Sequence, residues 1–116
     1  MTTRGDRLTL IQGTLDLLIL RTLLYGQQHG QGIARAIQRT SEEELLIEHG
    51  ALYPALQRLE DKGLIRADWG VSKNNRKARF YKLTGKGRTR LDRERTRWQR
   101  MTAAIGKVLD AWEAEA

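Results

Sequence analysis

The spacing of apolar residues changes abruptly at Gly63, which rules out an all-helical chain and one built of strands alone. Before it the apolar residues recur at helical intervals; after it come two short runs rich in β-branched and aromatic side chains. Beyond those runs the pattern becomes a heptad. Residues 8–24 place Leu8, Ile11, Leu15 and Leu18, then Leu17, Leu20 and Leu24, at helical spacing over more than one face. A helix buried on several sides is expected there, with Thr14 as its N-cap and residues 8–12 as a separate lead-in. Tyr25-Gly26 closes it. A second helix is expected from Gly30 to Thr40, with Ile33, Ala34 and Ile37 on its buried edge. The acidic run Glu42-Glu43-Glu44 after Ser41 suits a turn.

The third helical stretch, residues 50–62, puts Leu52, Ala55, Leu56 and Leu59 in one narrow stripe. Pro54 is the chain's single proline, and its missing N–H is tolerated in a first turn. The helix is therefore expected to start near Gly50 or Ala51 and to stop at Gly63. Its polar face carries Gly50, Pro54, Gln57, Arg58 and Asp61, with Tyr53 at the flank. Strands follow at residues 64–71 and 78–83. The stretch between them, Ser72 to Lys77, contains Asn74 and Asn75, which tolerate positive φ at a hairpin tip. Which strand face is buried stays open, because apolar residues occur on both.

Thr84 caps a long helix reaching about Ala114, opening Thr-Gly-Lys-Gly. Leu91, Trp98, Ile105 and Trp112 are seven apart, with Met101 and Val108 completing an a/d seam that Glu94 and Glu115 interrupt at its ends. A lone helix cannot bury such a seam, so Leu91, Trp98, Met101, Ile105, Val108 and Trp112 are expected at a dimer interface. The alternative is that the helix folds back on its own domain. The expected fold is thus mainly α with a small β-hairpin: residues 1–83 as one domain and residues 84–116 as a C-terminal dimerisation helix.

Charge narrows the function. The chain of 116 residues carries +7, but residues 73–100 hold twelve Lys or Arg against two acids. That window alone is +10, leaving the rest at −3. A basic half on a nearly balanced body points to a polyanion, with double-stranded DNA ahead of an anionic membrane. With no cysteine and two histidines, a disulfide, a thiol nucleophile and a metal cluster are not expected. No phosphate loop, HExxH or nucleophile elbow occurs, so neither an enzyme nor a cofactor is indicated. No apolar run approaches bilayer length and no secretory signal is present, so a cytoplasmic, soluble protein is expected.

Three helices and a hairpin follow the order of a winged helix-turn-helix, in which the third helix enters the major groove and the hairpin is the wing. Four segments carry a closer likeness. Residues 50–65 (GALYPALQRLEDKGLI) resemble the recognition helix of the PadR family of bacterial transcriptional regulators. Residues 80–87 (FYKLTGKG) resemble its second wing strand and the start of its last helix. HGQGIARAI at residues 29–37 and GTLDLLIL at residues 13–20 resemble its second and first helices. Two positions depart from the pattern: Ala51 stands where many members carry Ser or Thr, and Gln31 replaces a common tyrosine. The single C-terminal helix resembles the compact subgroup.

The resemblance implies a homodimeric regulator, in the main a repressor, bound to an inverted-repeat operator. Tyr53 and the wing residues Lys73, Arg76 and Lys77 are then the phosphate contacts, with Asn74 and Asn75 also among the DNA-binding residues. Gln57 and Arg58 are the candidates for base edges, since amide and guanidinium match adenine and guanine. The resemblance also implies that Trp98 stacks on a small aromatic effector at the dimer interface; its plainer role is interface core. The competing reading of the same charge is a basic nucleic-acid-binding or scaffolding protein without operator specificity.

Overall fold

The computed structural model describes residues 13–115. The elements are α1 (Thr14–Leu23), β1 (Gln28–His29), α2 (Gly30–Thr40), α3 (His49–Asp61), β2 (Ile65–Val71), β3 (Lys77–Leu83) and α4 (Gly85–Glu115). The mainly α fold with a basic hairpin and a long last helix is as expected. The lead-in at residues 8–12 and the Trp112 side chain lie outside what is described.

α1 is the central helix. Leu15, Ile19, Leu20 and Leu23 are buried, and α1 packs against α2, α3, β3 and α4, which explains why its apolar residues cover several faces. Its start corrects the expected cap. Gly13 is the N-cap, at φ 93° where a side chain would be strained, and Thr14 is the first helical residue. α2 is capped by His29, whose Nδ1 accepts from the Gly32 N–H at 2.9 Å. Glu42 and Glu43 form the expected turn, both at positive φ.

α3 begins one residue earlier than expected, with the Ala51 and Leu52 N–H groups donating to the Glu48 carbonyl. Pro54 is therefore the sixth helical residue, past the first turn, and the Gly50 carbonyl has no proline N–H to bond. Both residues are exposed, so water can satisfy that carbonyl. The far end closes as expected. Gly63 at φ 73° sends its N–H to the Glu60 carbonyl (2.9 Å), and Leu64 sends its own to Leu59 (3.0 Å). This is the Schellman arrangement, with Leu59 and Leu64 both buried beneath it.

The sheet has three strands rather than the two of the expected hairpin. β1 pairs with β3 through Gln28↔Tyr81 and His29↔Phe80, giving the order β1-β3-β2. Two residues without alternation leave no periodic signal, so this strand was invisible to spacing. β2 and β3 are in register from Ile65↔Leu83 to Val71↔Lys77. The open question of the buried face is settled. Ile65 and Tyr81 are in the core with Ala67 and Leu83 packed against it, whereas Trp69 and Val71 on the same face are exposed.

Thr84 joins three elements. Its Oγ1 accepts from the Gly87 N–H (3.0 Å), the N-cap bond of α4, and donates towards the Gly63 and Leu64 carbonyls at 2.7 and 3.0 Å. Gly87 lies so close that a Cβ would collide with the Leu64 carbonyl oxygen. This close approach is the reason for the second glycine in Thr-Gly-Lys-Gly. Further along α4, Leu91 is only 2% exposed and sits in the core of its own chain. It is thus not available to a dimer seam, contrary to expectation. The heptad places Leu91 correctly but does not say which neighbour it faces. From Trp98 onward α4 leaves the body: Trp98, Met101, Ile105, Val108 and Leu109 are all exposed.

Candidate nucleic-acid interface

The exposed side of α3 and the hairpin 65–83 are linked by one ion pair. Arg79 on β3 meets Glu60 on α3 at 2.8 Å, fixing the wing against the helix. On α3 the apolar stripe Leu52, Ala55, Leu56 and Leu59 is buried, which turns Pro54, Gln57 and Arg58 outward. Tyr53 is half-exposed, and its ring lies over Gly30 at the start of α2. A Cβ on Gly30 would come within 2.9 Å of the Tyr53 hydroxyl oxygen. The phenol is thereby held at the junction of the two helices.

Gln57 donates from Nε2 to Asp61 Oδ1 at 2.9 Å, one helical turn away. Arg58 is engaged within the chain. Its guanidinium donates to Asp16 Oδ1 of α1 at 2.8 Å, with 43% of the Arg58 side chain still exposed. The partner lies 42 residues away, and no spacing rule finds it. At the hairpin tip the Ser72 N–H bonds the Arg76 carbonyl, the Asn75 N–H bonds the Ser72 carbonyl, and Asn75 alone takes positive φ. Lys73, Asn74, Asn75, Arg76 and Lys77 are all exposed. Lys77 Nζ stands 5.0 Å from the centroid of the Trp69 ring, a cation–π contact.

Behind the wing, Tyr81 is buried, and burial pushes its phenol above the ordinary 10.0, the Arg79 charge opposing. A concavity of about 390 Å³ opens between α1 and α4. Leu17, Leu20, Trp98 and Met101 supply apolar walls, and Asp16, Glu94, Arg90 and Arg97 supply charge. Among the described residues no group of His, Asp or Glu could hold a metal ion, and no helix is long and apolar enough to cross a membrane.

A helix-turn-helix body whose third helix presents polar groups beside a basic hairpin defines a winged-helix protein of the DNA-binding class. The comparisons make this specific. The transcriptional regulator PadR-like family matches residues 19–93, and the chain belongs to that family of DNA-binding transcriptional regulators. A transcriptional regulator from Clostridium thermocellum superposes with a TM-score of 0.76 at 28% identity, covering 84% of this chain and 94% of its own. A PadR family transcription regulator from Clostridium difficile gives 0.72 at 27% identity, over 84% and 99%. An uncharacterised protein of Lysinibacillus sphaericus is 29% identical over 107 residues, 92% of this chain and 98% of the relative.

Proposed function

We propose that the protein is a sequence-specific repressor that binds an inverted-repeat operator as a homodimer. The observation that carries this reading is the pairing of the outward face of α3 with a basic wing held against it by Glu60 and Arg79. Tyr53, Lys73, Asn74, Asn75, Arg76 and Lys77 contact the backbone, and Gln57 and Arg58 read base edges. For Arg58 this is an exchange of partners. A half-exposed ion pair is worth about 0–1 kcal/mol, whereas a bidentate contact to guanine is worth about 1–3 kcal/mol. The base therefore outcompetes Asp16. The exposed stripe Trp98, Met101, Ile105 and Val108 supports dimerisation through α4, with Trp112 continuing the heptad.

A twofold dimer sets two copies of α3 about one DNA turn apart, roughly 34 Å. Selection of bound duplexes from a random library tests this at near-physiological salt. Enrichment of an inverted repeat with that spacing is the expected result. Binding without any enriched sequence would sink the regulator reading in favour of a non-specific scaffold. A further reading, favoured by the concavity beside Trp98, is that a small planar aromatic effector stacks there and releases the operator. Quenching of tryptophan emission by planar aromatic compounds, lost in Trp98→Phe, is the expected sign.

A further inference from the structure

Trp69 and Val71 are each 66% exposed and lie on one face of the wing, the face whose inner half closes the core. Arg79 stands opposite Trp69 and Lys77 opposite Val71 in the β2–β3 register. The reverse face is braced. The Phe80 ring covers Gly70, where a Cβ would come within 2.8 Å of it, and its edge meets His29 with centroids 5.6 Å apart. The wing thus offers a supported blade on which an indole and a valine stand beside Lys77 and beside Arg79, whose charge is shared with Glu60.

We infer that Trp69 and Val71 of this blade pack against deoxyribose of a DNA strand beside α3, with Lys77 on the adjoining phosphate. The inference rests on the DNA-binding reading above and adds to it an apolar contact that charge alone does not imply. The blade sets an apolar row, Trp69 and Val71 on β2, beside a cationic row, Arg79 and Lys77 on β3, as a phosphodiester strand sets its apolar sugars beside its anionic phosphates. The hairpin, residues 65–83, supports this occupant with six basic residues against one acid. Apolar packing on sugar is indifferent to sequence, so Trp69 contributes affinity on any duplex.

The test is the salt dependence of binding for wild type, Trp69→Ala, Trp69→Phe and Lys77→Ala, on a selected operator and on a random duplex. Thermal melting checks that each variant folds. Trp69→Ala is expected to weaken both complexes about tenfold with an unchanged slope against log salt, because no phosphate contact is lost. Trp69→Phe is expected to recover most of that loss, and Lys77→Ala to flatten the slope by about one. An unaltered affinity in Trp69→Ala overturns the inference. So does a flattened slope, which would make Trp69 a mere prop for the basic tip. Loss of binding to phosphatidylserine vesicles in Trp69→Ala with DNA affinity intact would assign the blade to a membrane surface instead. A wild-type chain that binds no duplex overturns the DNA-binding reading itself, and this inference with it.

Discussion

Two glycines in α4 have opposite consequences when given a methyl group. Gly87 sits against the Leu64 carbonyl, whereas a Cβ on Gly106 meets nothing within 4 Å. Replacing either by Ala gains about 1 kcal/mol of helix propensity. At Gly106 nothing opposes that gain. At Gly87 the first turn of α4 must move away from Leu64, straining three bonds: Gly87 N–H to Thr84 Oγ1, the Thr84 hydroxyl proton shared between the Gly63 and Leu64 carbonyls, and Thr84 N–H to the Leu64 carbonyl. Losing three hydrogen bonds costs about 3 kcal/mol at roughly 1 kcal/mol each, so the net loss is about 2 kcal/mol. For a chain of this length 1 kcal/mol corresponds to about 4 °C. Gly87→Ala is then expected to melt about 8 °C below wild type and Gly106→Ala about 4 °C above it. Circular dichroism melts at one fixed protein concentration measure both, since an oligomer's Tm shifts with concentration. A Gly87→Ala protein as stable as wild type would refute the close approach at Leu64. A destabilised Gly106→Ala would place another surface against that part of α4.

Arg58→Ala is expected to cost about 1–3 kcal/mol at the operator and to relax one base preference; equal losses on operator and random duplexes would move Arg58 to the backbone. Asp16→Asn frees Arg58 and is expected to tighten operator binding by a factor of a few, in line with an exposed pair worth under about 1 kcal/mol; unchanged or weaker binding in a competitive assay would count against the exchange. The Tyr81 phenol is raised in the folded chain, so the unfolded chain loses its proton first. Stability is therefore full below pH 10 and declines above it. Tyr81→Phe should remove that alkaline decline in urea unfolding measured from pH 9 to 11, and an identical decline in the variant would rule the phenol out. Removing the exposed seam with Ile105→Glu and Val108→Glu is expected to yield monomers in sedimentation; an unchanged mass would show that α4 is not the interface.

The elements legible in the sequence were those that repeat. The leucine stripe of α3, the stop at Gly63, the hairpin tip and the Thr84 cap each rest on local chemistry within a few residues, and each is where spacing put it. What periodicity could not reach was tertiary. Leu91 fits the heptad as well as Ile105 does, yet one is in the core and the other exposed, because α1 lies beside the first and nothing described lies beside the second. Arg58 matched the profile of a base reader, but Asp16 belongs to a different helix. β1 is too short for any pattern, and its one visible trace, His29 before a helix, reads equally as a cap. Trp69 was legible as a strand residue, while its exposure depended on where the body of the domain ends.

The junction at Thr84 has a mechanical consequence. α4 has 31 residues, so it is about 46 Å long. Its root is clamped by Thr84, Gly87 and the Leu64 carbonyl, and Leu91 anchors its second turn in the core against α1. The part from Trp98 onward, about 27 Å long, is a lever, and each degree of tilt moves its tip by about 0.5 Å. Small displacements at the α3–β2 corner are therefore magnified at the far end of α4, and any load on that tip is returned to the corner where α3 ends.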